Sequence, residues 1–246
     1  MQVGNKYSHN GGEAFINQFY GAELQEIVDA IAFVDATSVL TKMSEEKSKP
    51  DLIFSPTELN KKLKNYLSPL GWTVPTSSGS KGFTEPRLYW NSDADTFHRN
   101  IGEKSAGDNE YREMDGIKNK VGLEIQFGKY AFMGYDIFAK MPIFSKRGLI
   151  TCGIELVAMH SLIPNMSTGV SSFNQIEMDL KARGVSNLDI PILIIGIECT
   201  PAENAGVELK RQKFRTHKQT MLSSGEVSVG RQGAKPGPKT YSLLDL

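Results

Sequence analysis

From Val121 to Phe127 the chain alternates, with Val121, Leu123, Ile125 and Phe127 on one side of an extended backbone and Gly122, Glu124 and Gln126 on the other. A period of two commits this stretch to a β-strand with one face in a core. It also sets two polar side chains on a shared face. Residues two apart on a strand lie roughly 6.5–7 Å from each other, so Glu124 and Gln126 reach toward one point. The polar turn signal KNK, Lys118–Lys120, directly precedes the strand and predicts a hairpin that folds Asp115 back beside Glu124. Two carboxylates from neighbouring strands then face the same space. Hard oxygen ligands of this kind suit Mg2+, which keeps waters and bridges phosphate oxygens during phosphodiester hydrolysis. A solvent-facing strand that carries Glu and Gln for solubility fits the same spacing.

The remaining periodicities surround this strand with helices and further strands. Leu24, Ile27, Val28, Ile31 and Val34 predict an amphipathic helix over Ala22–Val34. Ser55, Pro56 and Glu58 form a capping box with Pro at the first helical position, opening a helix whose buried stripe is Leu59, Leu63, Tyr66 and Leu67. Tyr130–Lys140 is expected to be helical. Leu149–Met159 alternates with Ile150, Cys152, Ile154 and Leu156 on one face, a second strand. Ser172 and Gln175 cap a helix that stops at Gly184, and the aliphatic run Pro191–Ile197 fits a central strand covered on both faces. Lys42–Lys49 and Ser77–Gly82 read as loops, and Asp93–Asn109 is polar with no clear period. The order predicts an α/β fold, a mixed β-sheet flanked by helices.

Charge is balanced over the whole chain, with 28 basic and 28 acidic residues, so it does not announce a nucleic-acid partner. Its distribution is uneven. From Ala205 to Leu246 eight Lys and Arg face three Asp and Glu, a net of +5 against −5 for the rest. We therefore expect a core domain, residues 1–204, and a basic extension, residues 205–246, built of loops or short strands and packing on or beside the core. In that extension Lys210, Arg211, Lys213 and Arg215 are candidates for phosphate contacts. Cys152 and Cys199 sit in strand-like apolar runs and behave as small buried hydrophobes rather than as a disulfide or zinc site. No run is long enough to cross a membrane and the first residues have no apolar leader core, so a cytoplasmic location is expected.

The run VGLEIQFGKYAFMGYD, Val121–Asp136, resembles the catalytic strand and following segment of the BglII/BstYI family of type II restriction endonucleases, nearer the BstYI branch. Further similarities fall in family order: YSHNG at Tyr7–Gly11, FSP at Phe54–Pro56 with Leu59 and Asn60, GIEL at Gly153–Leu156, MSTG at Met166–Gly169 and LIIGI at Leu193–Ile197. Together they cover most of residues 5–198.

That resemblance implies a restriction-endonuclease-like core of the PD-(D/E)xK type. It implies that Asp115, Glu124 and the backbone carbonyl of Ile125 ligate the metal. Gln126 would stand where the wider nuclease group places Lys, a replacement shared by this branch. An amide carries no charge and takes no proton, so Gln126 can at most orient water and the chemistry would depend fully on the metal. Lys129 would face DNA, and Ser167, Thr168 and Gly169 match a family Ser-Ser-Gly whose hydroxyls reach bases. The implied activity is Mg2+-dependent, sequence-specific cleavage of double-stranded DNA by a homodimer, at a palindromic hexanucleotide with a GATC core. A nuclease of the same fold directed at damaged or branched DNA, and a catalytically silent DNA-binding protein, are the alternatives; intact Asp115, Glu124 and Gln126 argue against the second. Glu113, His98, His160 and His217 read as surface or packing residues.

Overall fold

The computed structural model describes residues 1–44, 46–75, 83–91, 96–99 and 108–223. The Ser77–Gly82 loop, most of the polar stretch before Asn109, and the tail beyond residue 223 lie outside the described residues.

The chain opens with β1 (Gln2–His9), α1 (Gly12–Phe19), α2 (Gly21–Phe33) and the short α3 (Ala36–Val39). A small hairpin, β2 (Lys42–Met43) and β3 (Leu52–Ile53), leads into α4 (Pro56–Leu67). Then come β4 (Val74–Pro75) and β5 (Phe83–Thr84), and a three-stranded antiparallel sheet of β6 (Arg87–Asn91), β7 (Thr96–Arg99) and β8 (Asp108–Glu113). The hairpin β9 (Gly116–Lys118) and β10 (Val121–Gln126) follows. A helical rod is built of α5 (Tyr130–Tyr135), a π-helical segment Asp136–Lys140 and α6 (Met141–Lys146). The chain continues with β11 (Cys152–Ala158), α7 (Phe173–Arg183), β12 (Ile192–Glu198) and α8 (Pro201–Ser223).

The main sheet runs β1-β12-β11-β10-β9, with β10, β11 and β12 parallel and the two edge strands antiparallel. The mixed sheet expected from the sequence is therefore present. One face packs Leu123, Ile125, Ile154, Leu156, Leu193 and Ile195 against α1, α2, α4 and α8. The other packs Val157, Ile192 and Ile194 against the rod and α7, through Met133, Ile137, Met141, Phe144, Phe173 and Ile176. Helices thus cover both faces, which is why β12 is aliphatic from Ile192 to Ile195 without alternation. Gly12 lets α1 lie on the sheet: a Cβ there would run into the backbone of Ile192.

Local signals explain most boundaries. Ser55 Oγ accepts from Glu58 N–H at 3.3 Å, with Pro56 in the first turn of α4. The Ser172–Gln175 capping box starts α7. The rod continues past the expected end at Lys140, and its change of hydrogen-bond register comes just before Pro142, which has no N–H to donate back into the preceding turn. Two expectations are corrected. Lys42 and Met43 are not loop but pair with Ile53 and Leu52. The stretch after residue 204 is not loops or short strands up to residue 223, because it lies inside α8, whose Val207 and Phe214 belong to the core. No helix among the described residues is long and apolar enough to cross a membrane.

Candidate active site

The hairpin aligns as its sequence requires. Lys118 pairs with Val121, Ile117 with Gly122 and Gly116 with Leu123. Asn119 and Lys120 make the turn at φ 46° and 73°, the left-handed backbone of a type I′ hairpin. One step further along the ladder Asp115 comes beside Glu124, and its Oδ2 accepts a hydrogen bond from Ile125 N–H at 2.7 Å. Asp115 Oδ1 lies 2.6 Å from Lys64 Nζ of α4, and the same ammonium reaches Glu85 at 3.1 Å. Burial opposes the charge on Lys64, but Asp115 and Glu85 outweigh it and hold the ammonium above its usual range.

Glu124 does not face solvent. The rod covers it, leaving the residue 4% exposed, so the solubility reading of the alternating strand is excluded. Its Oε1 sits 2.8 Å from Lys140 Nζ as an ion pair and has no further hydrogen-bond partner. Burial raises the Glu124 carboxyl well above its usual range, the neighbouring Asp115 adds to the effect, and Lys140 opposes it. Asp136 of the rod takes the other side of Lys140, Oδ1 to Nζ 2.6 Å. In the register of two parallel strands Glu155 of β11 stands directly beside Glu124. It is fully buried and neither carboxylate oxygen has a hydrogen-bond partner.

Gln126 is held at both ends of its amide. Oε1 accepts from Gly128 N–H at 2.9 Å and Nε2 donates to Asp136 Oδ2 at 3.1 Å, which leaves one N–H free to donate. Ile125 O accepts from Asn60 Nδ2 at 3.3 Å and keeps a second lone pair. Two carboxylates and a carbonyl, with a buried carboxylate oxygen lacking a hydrogen-bond donor, suit a hard divalent cation that retains water or phosphate in its other positions. Among the described residues no three His, Cys, Asp or Glu side chains converge as ligands, so any such cation would rest on this mixed set.

Of the groups that meet here, Asp115, Glu124, Ile125 and Gln126 were expected from the sequence, and Lys64, Asp136, Lys140 and Glu155 were not. For Glu155 a signal existed: the alternation that buries Cys152, Ile154 and Leu156 places it on the opposite face, in register with Glu124. Asp136 and Lys140 carried a weaker one, four residues apart on a helix that leaves the strand.

A family model described as restriction endonuclease BglII/BglIII matches residues 5–197. The chain belongs to the BglII/BglIII restriction endonuclease family. It is accordingly a type II site-specific deoxyribonuclease, a class of enzyme that works with divalent metal ions. No curated protein matches it. The crystal structure of restriction endonuclease BglII complexed with a DNA 16-mer shares its fold, with a TM-score of 0.57 and 18% identity over 82% of this chain and 80% of that one.

In this BglII/BglIII-family chain the residues expected to read DNA come together beyond the end of β10. Lys129 is exposed and bridges the backbone of Val170, while Ser171 N–H donates to Gly128 O at 3.1 Å. Ser167 Oγ accepts from Lys42 Nζ at 2.6 Å, and Thr168 Oγ1 donates to Glu46. Gly169 sits at φ 88° with open space where a Cβ would stand. The basic residues of α8 do not behave as one set. Arg211 is 5% exposed and donates to Leu52 O at 3.0 Å and Asn165 Oδ1 at 2.8 Å, so its expected role on phosphates is corrected to a bond between elements. Lys210 donates to Thr37 O at 3.0 Å and is half-buried. Lys213 and Arg215 remain exposed.

Proposed function

We propose that the chain cuts double-stranded DNA at a palindromic site as a homodimer, with Mg2+ held by Asp115, Glu124 and the carbonyl of Ile125. The observation that carries this reading is the meeting of Asp115 and Glu124 at one end of the β9–β10 hairpin, with the Ile125 amide fixed between them. Mg2+ in that place would polarise the scissile phosphate and lower the pKa of water. The protein's own part is to hold the ligands still. Lys64 and the Ile125 N–H clamp the two oxygens of Asp115, and Asn60 steadies the Ile125 carbonyl. Gln126, fixed by Gly128 and Asp136, keeps one N–H with which to orient water.

Recognition falls to the neighbouring loop. Lys129 reaches a purine acceptor in the major groove or a phosphate, and the hydroxyls of Ser167 and Thr168 reach base edges once Lys42 and Glu46 release them, with Gly169 allowing close approach. A GATC-centred hexanucleotide is the sequence class we expect. Each chain carries one such site and a duplex has two strands, which is the reason for a two-fold dimer.

The test compares Asp115→Asn and Glu124→Gln with the parent protein in Mg2+ cleavage of plasmid DNA and in gel-shift binding. Both variants are expected to bind DNA and not to cut it. A variant that cuts at the parental rate would remove its residue from the site.

A further inference from the structure

Lys140 is an ammonium buried among carboxylates. Its side chain is 12% exposed, with Nζ 2.8 Å from Glu124 Oε1 and 2.6 Å from Asp136 Oδ1. Asp136 in turn holds Gln126 through its other oxygen. Gln126, Asp136, Lys140 and Glu124 therefore form a closed circuit that starts and ends on β10. Lys140 lies at the end of a π-helical segment, a distortion found frequently where a helix serves a site.

Stability alone gives a poor account of this arrangement. A buried ion pair is often no better than apolar side chains of the same volume, and Met133, Met141 and Phe144 nearby show that the rod otherwise packs as a hydrophobic layer. The charge sits instead against Glu124, one of the two carboxylates proposed to hold the metal. Phosphodiester hydrolysis adds negative charge around phosphorus, and the strand position two residues after Glu124 holds a neutral amide, Gln126, tied to Asp136 and Gly128 and carrying no charge to offset it.

We infer that Lys140, beside Lys64 on Asp115, is a cationic positioning residue of this site. It reaches Glu124 from the helical rod and supplies the positive charge that Gln126 lacks on the strand. The inference rests on the metal-site reading of Asp115 and Glu124. Lys140 transfers no proton in it; its ammonium fixes Glu124 and offsets charge that builds up beside that carboxylate.

The experiment uses the full chain and four variants, Lys140→Met, Lys140→Gln, Lys140→Arg and Glu124→Gln. Each is measured for melting temperature, for gel-shift affinity in Ca2+ and for single-turnover cleavage in Mg2+. The neutral Met and Gln variants should fold and bind DNA as the parent does while cutting about 10²–10³-fold more slowly, the loss typical of removing one preorganised charge-stabilising group. Lys140→Arg, which restores charge, should recover at least about tenfold of that loss. A residue that serves only packing would not give this split between binding and cleavage, nor rescue by Arg. If Glu124→Gln is inactive but both neutral Lys140 variants cut at the parental rate, the inference fails and the metal-site reading stands. If Glu124→Gln itself cuts normally, the metal-site reading fails. If neither neutral variant folds, Lys140 belongs to the fold and the inference is overturned.

Discussion

Glu155 shows what a single residue costs in this site. Burial raises its carboxyl well above the usual range, Asp136 and Glu124 add to the shift, and Lys140 opposes it. A carboxyl whose folded pKa exceeds the unfolded value of 4.5 binds its proton more tightly when folded. Its contribution to stability is therefore fully present below 4.5 and is lost as pH rises toward the folded value. Glu155→Gln keeps the shape without the ionisable proton. Relative to the parent it should be no more stable near pH 4 and should gain stability at pH 8, because only the parent carries a group that ionises more readily when unfolded. Urea unfolding at the two pH values measures this, and a variant less stable at pH 8 would assign Glu155 a bonded role. At this scale the sequence spoke clearly only where backbone alternation and a turn combine. Asp115 and Glu124 were legible because a two-residue hairpin fixes register. Lys64 and Lys140 were not, since each arrives from a helix whose approach depends on packing across a sheet face.

Among elements, α8 is the one whose sequence misled. Gly225, Gly230, Gly233 and Gly237 with Pro236 and Pro238 suggested loops or short strands, yet Thr200 and Glu203 form a capping box: Thr200 N–H donates to Glu203 Oε2 at 2.8 Å and Glu203 N–H to Thr200 Oγ1 at 3.2 Å. The apolar stripe of α8 is thin because Arg211 occupies the place between Val207 and Phe214 that an aliphatic residue would normally fill. Phe214→Ala should thus cost about 3–5 kcal/mol, as for other buried aromatic residues, in thermal or denaturant unfolding. An exposed extension would lose almost nothing. The loop at Ser167–Gly169 makes the opposite kind of prediction. Thr168→Ala and Lys129→Ala should change which sites are cut, with discrimination falling by about 1–3 kcal/mol for each good base contact, while stability stays near that of the parent. Uniform slowing at every site would leave only phosphate contacts there.

For the whole molecule, the strand order could be anticipated only in class, because pairing partners depend on contacts between distant residues that no local period records. The mixed sheet with helices on both faces followed from alternating and aliphatic strands; the placing of β1 against β12 did not. Lys213 and Arg215, the exposed cations of α8, should show their role through salt: replacing both with Ala should make the slope of log K against log salt shallower by about 0.9 for each phosphate that the protein ceases to neutralise. An unchanged slope would leave them solvated. The pairing of β1 with β12 also bears on how the protein is made. Tyr7 lies against Ile194 and Lys6 against Ile195, so the first strand waits for almost the whole of the described chain before its neighbour exists. At ~5–20 residues per second a ribosome needs tens of seconds to cover that interval. Chains that end before Ile192 should show no cleavage, whereas the chain that carries both β12 and α8 should cleave. Assembled in this order, a DNA-cutting enzyme would complete the sheet that carries its site only after residue 198 has been made.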